Sequence, residues 1–204
     1  MFYRLSPSVV MRSPWHPYLG RPGERVLVLK TSSVFPPGHP TTRLCLDLLK
    51  EIGAPGSRAR LLDVGCGSGV LLLAGAALGA PFCLGADLSR AATRTSWANA
   101  RQNGLGGAVQ VVQGSTECLK GAFELILANL PFTVQMDKVT EFSRLLAPDG
   151  ALILSGFKDT QEPELWPLYE TRGWSLNRRL TKDEWVAELP PEKSYTWVAW
   201  LLKR

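Results

Sequence analysis

The residues with the clearest chemical potential form one short segment in the first half of the chain. Residues 61–69 read LLDVGCGSG, an apolar run that gives way to glycines at alternate positions. An apolar run this short indicates a buried strand, and the apolar segment that begins at Val70 indicates a helix. Glycines at such a junction permit positive φ angles and let a ligand lie against the main chain, beside the unpaired N–H groups of the helix. The segment therefore predicts a ligand-binding turn whose contacts come from Gly65, Cys66, Gly67 and Gly69.

Two carboxylates indicate which ligand this turn binds. Asp63, at the mouth of the turn, would repel a pyrophosphate and attract an ammonium or sulfonium group. Asp87 ends the next apolar run, roughly 20 residues after the first glycine, where an acid can hold ribose hydroxyls. The third glycine comes one position too early for the G-x-G-x-x-G pattern of nicotinamide enzymes. A ribose and a positive centre without phosphate describe S-adenosyl-L-methionine, whereas a glycine-rich turn with no ligand is the weaker interpretation.

A second polar segment follows a later apolar strand. Asn129, Leu130, Pro131 and Phe132 come directly after the strand predicted at 123–128. Ligands in open α/β sheets bind beyond the carboxyl ends of strands, so we expect this segment to face the glycine turn. The Asn129 amide and the main-chain carbonyl groups, that of Leu130 included, can accept hydrogen bonds from a substrate amine. Pro131 stiffens the turn, and Phe132 can stack on a flat substrate or cover a cation; the alternative is a plain turn with Asn129 as a helix cap.

Composition describes an ordinary globular protein. The chain has 204 residues, 45% of them hydrophobic, and a net charge of +5 without a long basic run, which allows a nucleic-acid partner without requiring one. Its four cysteines and two histidines have no metal-ligand spacing, so no metal site is predicted. We expect reduced thiols, a cytoplasmic location and no membrane association, since glycines and a proline interrupt the longest apolar stretch. The oligomeric state stays open.

The order of predicted elements defines the fold class. Residues 1–24, rich in proline and aromatic side chains, are interpreted as an N-terminal arm that could include one short helix. Residues 25–204 are interpreted as one domain, with an edge strand at 25–30 and a helix from Pro40 or Thr41 to Gly53. Strands are then expected at 59–64, 82–87, 108–113, 123–128 and 150–156, and helices at 69–79, 89–103, 133–146 and 161–172.

Strands that alternate with helices predict parallel neighbours with crossovers on both faces. The last two strands, 174–180 and 195–202, have no full crossover helix between them and predict an antiparallel edge hairpin. The expected architecture is a doubly wound, mostly parallel, Rossmann-like sheet of seven strands, the arrangement of class I methyltransferases.

Several motifs together resemble one known family, the ribosomal protein methyltransferases that modify amino groups of a large-subunit ribosomal protein. The likeness extends over about residues 25–204. It is carried by residues 63–69 with Asp87, by Asn99–Ala100 with Asn103–Gly104, by Ala128–Leu130, by Gly38–Leu46, by Leu152–Gly156 and by Glu184–Ala187.

This resemblance implies S-adenosylmethionine as the cofactor and methyl transfer to a protein amino group, with a ribosomal protein as the partner. The family's separate N-terminal docking domain is not expected within 204 residues. Residues 130–132 also lean towards the NPPY-type pattern of enzymes that methylate amide or ring nitrogens. An RNA or DNA base N-methyltransferase, with Arg178, Arg179 and Lys182 on phosphate, stays open as an alternative. So does a non-catalytic, cofactor-binding scaffold.

The remaining candidate residues have secondary roles. Leu88 is expected beside the adenine, with Ser115 or Thr116 near its rim. Thr41 and Thr42 either contact the cofactor or cap their helix. His39 is a candidate base or a loop histidine that bonds to the backbone. Trp185 either borders the substrate entrance or packs under the hairpin.

Overall fold

The computed structural model describes residues 1–31, 38–53, 56, 59–184 and 195–204. The predicted position of Trp185 therefore lies outside the described residues. The described part contains a small three-stranded sheet, a seven-stranded sheet and five α-helices.

The first two strands of the small sheet lie in the region expected to form an arm, and its third strand lies where a strand was predicted at 25–30. The sheet contains β1 (Phe2–Ser6) and β2 (Val9–Arg12), which pair antiparallel, and β3 (Arg25–Val28), which lies parallel to β2. The structure places no helix in residues 1–24, so the suggested short helix is wrong. The physical reason is the alternating burial of β1, which turns Tyr3 and Leu5 into the core. These five residues are too few to stand out next to the prolines that follow β2.

The helices and the remaining strands follow the predicted alternation. The helices are α1 (Pro40–Ile52), α2 (Val70–Ala77), α3 (Arg90–Gln102), α4 (Phe132–Leu145) and α5 (Glu162–Glu170). The strands are β4 (Arg60–Val64), β5 (Phe82–Asp87), β6 (Val109–Gln113), β7 (Phe123–Asn129), β8 (Leu146–Lys158), β9 (Ser175–Glu184) and β10 (Tyr195–Lys203).

The seven-stranded sheet has the order β6-β5-β4-β7-β8-β10-β9. The first five strands are parallel, and β10 pairs antiparallel with both β8 and β9, which confirms the predicted edge hairpin. The order reverses between β4 and β7, so the carboxyl ends of these two strands flank the crevice in which such sheets bind ligands. The glycine turn and Asn129 lie at these two ends.

Two apolar cores cover the two faces of this sheet. Adjacent residues of β4 point to opposite faces, so Leu61 packs with α1, α2 and the small sheet, and Leu62 packs with α4 and α5. Helix α2 has an apolar sequence throughout and is buried over almost its whole length. This arrangement confirms the doubly wound fold and holds the glycine turn on a rigid support.

Asn99 of α3 and Asn103, which caps this helix, attach the small sheet to the larger one. The side chain of Asn99, fully buried, donates to the carbonyl oxygens of Lys30 (2.8 Å) and Ser68 (2.9 Å) and accepts from the Lys30 N–H (3.0 Å). Asn103 bonds in the same manner to both backbone groups of Val28. The outer edge of β3 is thereby satisfied, and Ser68 of the glycine turn is connected to it.

Asn99→Ala is expected to destabilise the fold by about 3 kcal/mol, because it leaves buried backbone groups without partners. Urea denaturation followed by circular dichroism measures the change. Asn177→Ala, at an exposed position of β9, is the matched control and should stay within about 0.5 kcal/mol of the parent chain. An equally small effect of Asn99→Ala would contradict the structural role given to this side chain.

Candidate active site

The glycine turn adopts backbone angles that glycine reaches more easily than other residues. Gly65, Gly67 and Gly69 all have positive φ angles, of 69°, 56° and 82°. A Cβ atom at Gly69 would lie 2.5 Å from the Ser96 Oγ, and one at Gly65 would overlap the Leu130 side chain. These glycines therefore let the turn approach α3 and the β7 turn, and larger residues would close that space.

The two predicted carboxylates lie on either side of this turn. Asp63 is buried, and its Oδ2 accepts from the Leu72 N–H at 3.0 Å. The Asp87 carboxylate accepts from the Gly67 N–H at 2.9 Å and from the Ser89 N–H at 2.8 Å, so it also shapes the turn. Among the residues that the structure describes, neither carboxylate forms an ion pair.

The carboxyl group of Asp63 is a much weaker acid than an ordinary aspartate. Burial raises the pKa of its carboxyl group from the ordinary 3.8 to about 8; the Leu72 N–H opposes this shift, and the charge of Asp87 adds to it. Two acidic groups without a cation make this site favourable for a positively charged ligand. Burial also raises the pKa of the neighbouring Cys66 thiol, so this cysteine is an apolar wall residue rather than a nucleophile.

The turn after β7 is held by a glutamine that the sequence did not reveal. Gln135 is fully buried, and its Nε2 donates to the carbonyl oxygens of Leu130 and, at 2.9 Å, of Ser155. Gly156 has a φ angle of 106°, and a Cβ atom at this position would overlap the Leu130 carbonyl oxygen. Glycine therefore permits the close approach of the Leu130 backbone. The Leu130 carbonyl, predicted to receive the substrate amine, accepts from Gln135 and keeps a second lone pair, so its role towards the substrate stays a prediction.

Asn129 remains the acceptor at this turn. Its Nδ2 lies 3.4 Å from the Thr42 Oγ1, to which it donates, and Thr42 is itself buried on α1. With the amide nitrogen held in this way, the amide oxygen is the group that can accept from a ligand.

Most of the predicted site residues meet at two adjoining cavities. The larger one, of about 580 Å³, is lined by Thr41, Gly65, Asp87, Leu88, Ser115, Asn129, Leu130 and Pro131, together with other residues. The smaller one, of about 60 Å³, is lined by Asp63, Gly65, Cys66, Gly67 and Asn129, among others. Leu88 lines the larger cavity and is 74% exposed, so its side chain is free to cover a flat ligand.

Two predicted residues lie away from these cavity walls. Gly69 caps the N-terminus of α2 in the left-handed conformation. Phe132 begins α4 and packs against the core on that face of the sheet, because it starts the helix instead of ending the turn. The structure thus does not place Phe132 where it would stack on a substrate.

His39 combines a structural position with a place in the larger cavity. It caps α1, and its Nδ1 accepts from the Thr41 N–H at 3.3 Å, which is the backbone-bonded role considered from the sequence. Burial lowers the pKa of its imidazole, and the charge of Glu184 opposes this shift. Thr41 is fully buried and lines the same cavity, so it both belongs to the helix start and borders the site.

Sequence reasoning missed Trp197, Lys138 and Gly156 as cavity-lining residues. Gly156 belonged to a quoted motif but carried no role there. Trp197 lies on β10 and reaches the cavity only because β10 inserts between β8 and β9. No sequence pattern within β10 itself predicts this insertion.

The strand order, the glycine turn after β4 and the acid at the end of β5 are those of the class I methyltransferase fold. Comparison with known proteins names the group within this class. The family model described as "Ribosomal protein L11 methyltransferase (PrmA)" matches residues 3–189, and the chain belongs to this family. The predicted family, with S-adenosylmethionine as its cofactor, is confirmed.

Individual relatives agree with the family model. The chain is 37% identical to a ribosomal protein L11 methyltransferase of Syntrophotalea carbinolica over 89% of its own length and 60% of the relative, and 36% identical to one of Pelotomaculum thermopropionicum over 90% and 60%. It therefore spans about three-fifths of the length of these curated relatives.

Solved structures share the fold. A ribosomal protein L11 methylase from Lactobacillus delbrueckii subsp. bulgaricus superposes with a TM-score of 0.81 at 22% identity, covering 100% of this chain and 97% of that one. A methyltransferase from Thiobacillus denitrificans, solved with S-adenosyl-L-homocysteine, gives a TM-score of 0.62 at 18% identity, covering 81% and 93%. Within the described ranges, no helix has the length and apolar character needed to span a bilayer.

Proposed function

We propose that this chain transfers a methyl group from S-adenosylmethionine to an amino group of a ribosomal protein. The observation that carries the proposal is the placement of two unpaired carboxylates and Asn129 around adjoining cavities. The residues present fit this cofactor, because glycines without Cβ atoms form the cradle and the cavity is large enough for a nucleoside.

Each part of the cofactor has a proposed set of contacts. Asp63 and the glycine turn, with Gly65, Cys66 and Gly67, would hold the methionyl portion. Asp87 would bind the ribose, and Leu88 and Ser115 would border the adenine. Bound S-adenosylmethionine supplies a sulfonium-linked methyl group, whose bond to sulfur breaks as its bond to nitrogen forms while the sulfur keeps the electron pair.

The protein's own contribution is alignment and desolvation. Asn129 would accept a hydrogen bond from the amine and direct its lone pair towards the methyl group. Holding both reactants in such a geometry can supply about 7–11 kcal/mol in total, of which Asn129 contributes a part. A lysine amine has a pKa of about 10.4 in water, and an apolar cavity favours its neutral form. The displaced proton goes to solvent water.

Two ion pairs weaken the alternative of a nucleic-acid substrate. Arg178 pairs with Glu51 and Arg179 pairs with Glu162, so two of the three cations assigned to phosphate already have carboxylate partners. The proposed ribosomal substrate supports the cytoplasmic location that was expected from the cysteine content. All four cysteines are free in the structure.

Tritiated S-adenosylmethionine tests the proposal directly. The protein is incubated with ribosomal protein L11, with the same protein after acetylation of its amines, and with ribosomal RNA. We expect label only in the unmodified protein. Label in RNA, or in the acetylated protein at the same level, would overturn the assignment.

A further inference from the structure

A lysine ammonium already lies against aromatic rings beside the larger cavity. The Nζ of Lys158 is 3.7 Å from the centre of the Tyr195 ring and 6.0 Å from that of Trp197. The two rings meet edge to face, with centroids 5.2 Å apart. Electron-rich ring faces attract ammonium groups, so this arrangement is a cation–π contact.

A carboxylate lies beside the rings, although among the described residues it forms no ion pair with Lys158. The indole N–H of Trp197 donates to Glu184, which fixes the carboxylate beside the rings. Burial raises the pKa of the Tyr195 hydroxyl, and the charge of Glu184 adds to this shift, so the carboxylate lies close to both aromatic residues. We call Tyr195, Trp197 and Glu184 the cation site.

The cation site is built on paired strands. Trp197 lies opposite Lys158 across the β8–β10 pair, and Tyr195 lies opposite Glu184 across the β9–β10 pair. The register of three neighbouring strands therefore sets the geometry. Sites held by strands in this way are better preorganised than sites on loops.

The cation site adjoins the proposed reaction centre. Trp197 lines the larger cavity together with Asn129, and its ring packs edge to face on His39 with centroids 4.9 Å apart. A ligand that enters this cavity can therefore contact the Trp197 ring and the Asn129 amide. Lys138, the lysine that lines this cavity, is ion-paired with Glu117.

We propose that the cation site binds the alkylammonium group of the acceptor before it loses its proton, and that of the methylated product after transfer, and that Lys158 occupies this site in the free protein. The identity of the ligand rests on the function proposed above. Two aromatic faces and a carboxylate suit an ammonium group, and methylation does not remove its charge. Lys158 then acts as a built-in competitor that an incoming amine must displace.

The competition predicts a gain of affinity when Lys158 is removed. A site that is open for only part of the time binds its ligand more weakly in proportion to that open fraction. Lys158→Met keeps an unbranched side chain but removes the charge, and we expect choline to bind about threefold to tenfold more tightly to this variant.

The matched control is Lys182→Met. Lys182 lies opposite Trp197 on the other neighbouring strand and is exposed, so its removal changes the net charge equally without opening the site. Its choline affinity should remain that of the parent chain. Tyr195→Leu, combined with Lys158→Met, should abolish the gain.

Nuclear magnetic resonance of the Trp197 indole N–H measures binding without any methyl transfer. Isotope-labelled protein is titrated with choline and with its uncharged carbon isostere, and the signal is assigned with Trp197→Phe. A shift with choline alone, stronger in Lys158→Met than in Lys182→Met, supports the proposal. Equal binding of the uncharged isostere, or no gain in Lys158→Met, overturns it.

This measurement separates the two proposals. A cation site that binds choline in a protein that methylates nothing would contradict the proposed function alone. With an active enzyme, Lys158→Met should lower KM for the protein substrate and leave kcat nearly unchanged. A fall in kcat with unchanged KM would instead contradict the role of Lys158 as a competitor.

Discussion

Asp63→Asn is expected to make the free protein more stable at alkaline pH while greatly weakening its binding of S-adenosylmethionine. The buried carboxyl group has a pKa of about 8, against the ordinary 3.8. In the unfolded chain the same group loses its proton about four pH units earlier. The folded protein therefore binds more protons than the unfolded chain between these two values.

The sign of the pH effect follows from this difference. The free energy of unfolding falls as the pH rises from about 4 to about 8, because the folded state must lose a proton that the unfolded chain has already lost. The stabilisation that the protonated Asp63 gives to the folded state is complete below about pH 4 and lost above about pH 8, with a total on the order of 5 kcal/mol. An asparagine does not titrate, so the variant avoids this loss and still accepts from the Leu72 N–H through its amide oxygen.

Urea denaturation at about pH 5 and about pH 9 measures the effect. We expect the variant to gain several kcal/mol relative to the parent chain on going to the higher pH. Comparing the two pH values cancels any constant effect of packing the new amide group. Asp149→Asn, at an exposed carboxylate, is the control and should show no such change. A parallel pH dependence of the Asp63→Asn variant and the parent chain would contradict the buried, unpaired state of Asp63.

Cofactor affinity is expected to respond in the opposite direction. A carboxylate attracts the sulfonium and ammonium groups, so binding to the parent chain should tighten by up to tenfold per unit from about pH 6 to pH 8. The variant should bind at least about 100-fold more weakly at pH 8 and lose this dependence, because its amide carries no charge. Calorimetric titration of both proteins, in matched buffers, cancels the titration of the ligand's own amino group.

The predictable part of this protein is local in sequence. The glycine turn, Asp63 and Asp87 lie within one strand–helix–strand unit, so their spacing alone places them around one ligand. The position of Asn129 required only the general rule that ligands bind at the carboxyl ends of parallel strands. Each of these inferences depends on a short segment and on one rule of sheet topology.

The parts that sequence reasoning missed depend on contacts between distant segments. Trp197 lines the cavity because β10 inserts between β8 and β9. Gln135 donates to the Leu130 carbonyl, and the hydrophobic periodicity of α4 does not reveal the direction of that side chain. The first two strands of the small sheet went unrecognised because they have only four or five residues, and the pairing of β3 with β2 spans a long proline-rich connection. Short strands have weak local signals, and their burial is decided by the surface they meet.

Asn129→Ala is expected to lower the rate of methyl transfer by about 100-fold to 1,000-fold, the loss typical of removing one preorganised hydrogen-bonding group. The side chain lines both cavities, and its amide nitrogen is held by Thr42. Alanine removes the oxygen that would accept from the substrate amine. The carboxylates of Asp63 and Asp87 keep their own partners, so affinity for S-adenosylmethionine should change by no more than about threefold.

Thr42→Val provides the graded comparison, because it removes the partner of the Asn129 amide and leaves the amide itself in place. A freely rotating amide still accepts from the substrate for part of the time, so we expect a loss of about tenfold in kcat. Single-turnover transfer to the protein substrate, with calorimetry for the cofactor, separates the two steps. Transfer by Asn129→Ala at more than a tenth of the parent rate would remove Asn129 from the chemistry. If both the transfer rate and the affinity for S-adenosylmethionine fell, Asn129 would instead be a cofactor ligand. The calorimetric titration contains no substrate amine, so misalignment of the amine could not explain a loss of cofactor affinity.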